Sequence, residues 1–126
     1  MLALVRTVDG TFAVDLETEE VFPSDEAVRP QRLELDLPLV AAAAAAGSTV
    51  VAIVDRRPPL VVSHDAGTTW REAGGGLPPG RAIAIDEDDP DRIVYAARNR
   101  LYVSEDGGRF WRALVPELPE IEAVRL

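Results

Sequence analysis

Two aspartates of this chain stand in the same eight-residue frame. Ser63-His64-Asp65-Ala66-Gly67-Thr68-Thr69-Trp70 and Ser104-Glu105-Asp106-Gly107-Gly108-Arg109-Phe110-Trp111 both read S-x-D-x-G-x-x-W, and Ser104 follows Ser63 by 41 residues. Two carboxylates could serve as general acid and base, as in glycoside hydrolysis. The spacing also has a structural reading. A short carboxylate in a hairpin accepts hydrogen bonds from backbone N–H groups two or more residues on. Ser63 and Ser104 can bond the same loop, and Gly67 and Gly108 supply positive φ. Trp70 and Trp111 then open the next strand and bury a large ring.

The remaining candidates are weaker. Asp86-Glu87-Asp88-Asp89-Pro90-Asp91 offers hard oxygens for calcium. It lacks the central glycine and final glutamate of an EF-hand loop, and it reads as a solvated acidic turn. His64 is the sole histidine and occupies a variable position of its frame. Arg56-Arg57-Pro58-Pro59 reads as a turn between strands, with anion binding as its alternative role. There is no cysteine and no lysine; the 13 basic residues are all arginine. Disulfides, thiol nucleophiles, Schiff bases and the lysine of a phosphate loop are thereby excluded. A net charge of −9 argues against nucleic acid or an anionic membrane as partner. No cofactor and no metal are expected. Gln31 and Asn99 are the only side-chain amides. That scarcity fits a heat-adapted source or a biased base composition.

The elements that must carry these residues repeat with the frames. Leu77-Pro78 and Leu118-Pro119 are also 41 apart, and Leu37-Pro38 lies 40 before Leu77. Each precedes a short apolar stretch: Ala82-Ile83-Ala84-Ile85, Ala123-Val124-Arg125-Leu126, and the alanine run from Ala41. Between them fall Arg92 to Ala97, Leu101 to Val103, and Phe110 to Leu114. Four short strands in about 41 residues is the size of one propeller blade. The run Leu37 to Val54 is nearly free of polar side chains, so a membrane span and a short alanine helix compete there. Pro38, the Gly47-Ser48 break and the repeat register favour two strands: Ala42 to Ala45, then Val50 to Val54. No secretory signal or membrane helix is read, which places the protein in the cytoplasm as an expectation.

Here the frames resemble the Asp-box, or BNR, repeats of β-propeller proteins such as sialidases, sorting-receptor ectodomains and photosystem assembly factors. Asp89-Pro90-Asp91-Arg92-Ile93-Val94-Tyr95-Ala96 is similar to the strand that precedes the box in many of them. The resemblance covers 37–126 by motif and 1–36 by register only, where Asp15, Glu17, Glu19 and Phe22 fall at box positions. It implies structural boxes on the outside of the blades, so Ser63, Asp65, Gly67, Trp70, Ser104, Asp106, Gly108 and Trp111 are expected to build the fold. A sialidase would need an arginine cluster, a tyrosine and its glutamate. Arg81, Arg98, Arg100, Tyr95 and Glu122 supply the types, with no spacing that singles them out.

The expected fold is all-β, with four-stranded antiparallel blades and three blades per chain. The register divides it into a partial blade 1–36 without its first strand, blades 37–76 and 77–117, and a lone first strand 118–126. Closed propellers typically have four to eight blades. Two chains would therefore make a six-bladed ring by strand exchange, each lone strand completing its partner's first blade. Leu2, Leu4, Val5, Ile121, Ala123, Val124 and Leu126 form the expected seam. The expected partner is a second copy, with a trimer as alternative, plus a protein or glycan ligand. The function expected is a non-catalytic binding or scaffolding module; the alternative is a glycosidase-like hydrolase acting in a central channel.

Overall fold

A computed structural model describes all 126 residues. It contains twelve strands and no helix: β1 (Leu2–Thr7), β2 (Gly10–Asp15), β3 (Val21–Ser24), β4 (Val40–Ala46), β5 (Thr49–Val54), β6 (Leu60–Ser63), β7 (Arg71–Ala73), β8 (Ala82–Ile85), β9 (Ile93–Ala96), β10 (Leu101–Ser104), β11 (Arg112–Ala113) and β12 (Ile121–Arg125). They form three antiparallel sheets of four strands. The first runs β12-β1-β2-β3, the second β4-β5-β6-β7, the third β8-β9-β10-β11. Within each sheet neighbouring strands are consecutive in sequence, except that the last strand of the chain returns to pair with the first.

The alanine run is a strand, not a helix. β4 pairs with β5 from Ala42 opposite Ile53 to Ala46 opposite Thr49, and Gly47 turns the hairpin at φ 59°. Tertiary pairing here overrides alanine's helix preference. The reason lies in what the inner strands must touch. β4 and β12 both pack against β8. Small side chains allow that approach: Ala44 and Ala46 on β4, Ala82 and Ala84 on β8, and Ala123 on β12 are all buried.

The third sheet is apolar on both faces because it lies between the other two. Ala82, Ala84, Val94 and Ala96 join Ala3, Val5 and Val14 in one core. Ile83, Ile85, Ile93 and Tyr95 join Val51, Ile53, Leu60 and Val62 in the other. Doubly buried strands read as continuous apolar runs, as Ala82 to Ile85 and Ile93 to Ala96 do. The two end sheets share no comparable core. The segment between β3 and β4 bridges them instead. Arg6 donates to the Val28 carbonyl (3.0 Å), Arg125 meets Glu26 (3.3 Å), and the Gln31 amide both accepts from Ala45 N–H (2.8 Å) and donates to its carbonyl (3.2 Å). Leu35 and Leu37, with Trp70, cover Ala52, Val54 and Val61 on the outer face of the second sheet.

The seam strands do pair, with Val5 opposite Val124, but within one molecule: β12 pairs with β1 of its own chain. The seven residues Leu114–Glu120 bring it there. A short tether gives the intramolecular pairing a high effective concentration, so it competes well with pairing in trans. Ile121, Ala123 and Val124 are buried in this position, while Leu2 is half exposed.

Candidate functional site

The two S-x-D-x-G-x-x-W frames fold into near-identical hairpins between β6 and β7 and between β10 and β11. Ser63 Oγ donates to Asp65 Oδ1 (2.7 Å) and accepts from Gly67 N–H (2.8 Å). Ser104 repeats both bonds with Asp106 and Gly108, each at 2.8 Å. The carboxylates face inward to the loop. Asp65 accepts from Thr69 N–H (2.8 Å) and Thr69 Oγ1–H (2.6 Å). Asp106 accepts from Arg109 N–H (3.1 Å) and Phe110 N–H (3.0 Å). Gly67 and Gly108 both adopt φ 91°. At each, an added Cβ would lie 3.4 to 3.5 Å from the ring of the following tryptophan, so the ring closes over the turn. Trp111 also donates its indole N–H to the Gly108 carbonyl (2.9 Å) and packs edge-on to Tyr95 at 5.8 Å. The frames thus organise backbone and core; every hydrogen bond the two carboxylates accept comes from their own hairpin.

That arrangement shifts acidity. Bonds from the Thr69 hydroxyl and N–H, then from Ser63, bring the Asp65 carboxyl down to about 2 from 3.8. The Phe110 N–H, then Ser104, lower Asp106. A carboxyl more acidic in the fold than in the unfolded chain stabilises the fold fully above its unfolded value, and that contribution is lost as pH falls toward the folded one. Asp65 should therefore stabilise the protein above about pH 4 and stop doing so near pH 2. Urea unfolding at pH 6 and pH 2.5 should show a smaller pH difference for Asp65→Asn than for the parent. An unchanged difference would remove the charged turn from the account.

The first sheet departs from the register expected of it. Asp15 does cap the turn, accepting from Glu17 N–H (2.9 Å) and Thr18 N–H (3.0 Å), and these bonds lower its pKa, that from Thr18 most. The connection from Asp15 to Val21 is two residues shorter than that from Ser104 to Arg112. Phe22 therefore falls inside β3 rather than just before it. Its side chain is half exposed, so it does not reproduce Trp111. Glu19, at φ 63°, instead accepts from Val115 N–H (2.6 Å) and ties this turn to the third sheet's exit loop.

In the acidic turn from Asp86 to Asp91, two carboxylates are engaged locally. Asp86 accepts from Asp88 N–H (2.9 Å) and pairs with Arg92 (3.6 Å), and Asp89 accepts from Asp91 N–H (3.2 Å). No cluster of acidic and histidine side chains gathers there in a metal-binding arrangement.

The candidate site proper lies among the loops at the opposite end of the second and third sheets. The largest cavity, about 580 Å³, has an apolar lining that includes Leu39, Ile53, Pro59 and Leu77, with Arg56 and Arg57 as its basic groups. A second, about 530 Å³, continues from Arg57 and Leu77 along Pro78 and Pro79 to Tyr102. A third, about 450 Å³, runs on from Tyr102 to Arg81, Arg98, Arg100 and Glu117. Tyr95 is the pillar beneath this surface. It is fully buried, donates to the Pro78 carbonyl (2.5 Å), and lies edge-on to Tyr102 at 6.3 Å. Burial, then the neighbouring Tyr102, pushes its hydroxyl up to about 12.

Three of the arginines offered by the sequence do share one cavity, but with different companions. Tyr95 is sealed beneath it, and Glu122 is engaged elsewhere by Arg6 (3.4 Å). Tyr102 and Glu117 take their places. Arg100 pairs with Glu117 (3.0 Å), and Glu120 takes Arg81 (2.9 Å) and Arg98 (3.8 Å), so the guanidiniums are neutralised by carboxylates. Tyr102 makes no hydrogen bond to either glutamate. The cavity-lining roles of Leu39, Leu77 and Tyr102 carried no sequence signal; only the arginines, Arg56-Arg57 and the set Arg81, Arg98 and Arg100, pointed to this end.

Set beside protein-family models and characterised proteins, the sequence matches none.

Proposed function

We propose that this chain is a non-catalytic, Asp-box-type propeller module that binds a protein or glycan ligand and assembles with itself. The observation that carries the reading is the fate of its carboxylates. Asp65 and Asp106 are committed to turn N–H groups, and Glu117 and Glu120 to arginines. The principal concavity combines apolar side chains with two arginines, a common form of binding site. Self-assembly is supported by the end sheets, which share no core with each other. Leu2 and Phe22 stay half exposed on the first sheet. The same β1–β12 pairing could be made between two chains, with the loop Leu114–Glu120 as hinge, giving six blades around a two-fold axis. Light scattering tests this: a mass about twice 13.6 kDa is expected, and a stable monomer at high concentration would overturn the assembly.

The cavity holding Arg81, Arg98, Arg100, Tyr102 and Glu117 gives the hydrolase reading its one specific support. A fluorogenic sialoside separates the two. The binding reading expects no turnover; hydrolysis abolished by Tyr102→Phe would replace it with the enzymatic one.

A further inference from the structure

Of the thirteen arginines, only Arg29, Arg32, Arg56 and Arg57 make no side-chain hydrogen bond or ion pair. The chain carries 22 acidic residues, so partners are abundant, and the other nine arginines have found one or a backbone carbonyl. Arg56 and Arg57 are adjacent and line the largest cavity. Asp55 lines it too, which leaves the cavity one net positive charge in a protein of charge −9. An unpaired, weakly hydrated guanidinium pair beside an apolar pocket is suited to a carboxylate attached to an apolar group.

The shape of the surface narrows the class further. The first and second cavities share Arg57, Pro59, Leu77 and Pro79; the second and third share Pro78, Pro79 and Tyr102. Three cavities joined through shared lining residues form a trough that suits an extended chain better than a single small carboxylate. Its walls are stiff: prolines cannot vary φ, and Tyr95 holds the Pro78 carbonyl from below. Leu39, 62% exposed, stands at the trough's apolar end as a ready contact. Pre-set walls reduce the ordering cost of binding.

We propose that this trough recognises an extended acidic peptide segment of a partner protein. An apolar side chain of the peptide enters the Leu39–Ile53–Leu77 pocket, and a neighbouring carboxylate pairs with Arg56 and Arg57. This rests on the binding-module reading above and names its ligand class.

The test is fluorescence anisotropy with a labelled hexapeptide of alternating leucine and glutamate, against the same peptide with glutamine for glutamate. The charged peptide should bind the full-length protein at least tenfold more tightly than the neutral one. Arg56→Gln/Arg57→Gln should erase that difference, while Arg29→Gln/Arg32→Gln, which removes the other two free arginines, should preserve it. Equal loss in both double variants would show non-specific attraction and overturn the site, as would absence of binding at millimolar protein. Circular dichroism on each variant confirms the fold, and glutarate added as competitor should displace the peptide only weakly. Light scattering on the same samples keeps the two ideas apart. A dimer that ignores the peptide refutes the trough alone, and a monomer that binds it refutes the assembly alone.

Discussion

A chain ending at Glu117 should have no cooperative thermal transition. The removed residues include Leu118, Ile121, Ala123 and Val124, all buried, and the only strand that pairs with the open side of β1. Their loss uncovers Ala3 and Val5 and opens the core shared with Ala82, Ala84 and Val94. Each large buried side chain removed costs about 2–5 kcal/mol, against a total stability of about 5–15 kcal/mol for a domain. The deletion therefore exceeds what the fold holds in reserve. Far-UV circular dichroism against temperature reads this out. Adding a peptide of residues 118–126 should restore the transition in a concentration-dependent way. A truncated chain that melts cooperatively near the parent temperature would show that β12 is dispensable.

The second large effect is expected at a single hydrogen atom. A Cβ built on Gly80 would lie 2.6 Å from Cζ and Oη of Tyr95 and 2.8 Å from Cδ1 of Ile53. Neither neighbour can withdraw. Ile53 and Tyr95 are buried, and Tyr95 is wedged between Tyr102 and Trp111 with its hydroxyl bonded to Pro78. Overpacking of this kind costs about 1–3 kcal/mol, and contacts this short place Gly80→Ala at about 3 kcal/mol. Gly75→Ala, where an added Cβ meets nothing within 4 Å, is the matched control and should be nearly neutral. Urea unfolding of both variants measures the contrast. Equal stabilities would mean that the Gly80 backbone shifts freely over Tyr95, and the stiff wall of the trough would go with it.

These expectations show how differently parts of the molecule were written into the sequence. The hairpins around Asp65 and Asp106 were legible as self-satisfied turns, because a short carboxylate, a hydroxyl and a glycine at fixed spacing satisfy a turn from within, while the serine–aspartate bond and the Thr69 hydroxyl bond were not. The alanine strand was legible through the repeat and the Pro38 and Gly47-Ser48 breaks, against a local propensity that points to helix. The turn after Asp15 was misjudged because a two-residue shortening leaves no motif behind, and it moved Phe22 into a strand. The partner of β12 was legible as a strand but not as a molecule: register dictates which strands pair, while cis or trans depends on tether length and concentration. The trough was almost illegible. Leu39, Leu77 and Tyr102 come from three different loops and strands, and no spacing rule links them.

The return of β12 to β1 also orders events in time. Val5 waits for Val124, so the first sheet to be synthesised is the last to be finished. Until the final strand emerges, β1 presents an open edge and an apolar face to whatever is nearby. The second and third sheets, whose partners are all local, can settle first and offer β8 as a docking surface for the late strand. Of all the strand pairings this one joins residues furthest apart in sequence, and such contacts form late. During synthesis, crowding of nascent chains on one messenger would decide whether the waiting edge meets its own C-terminal strand or a neighbour's.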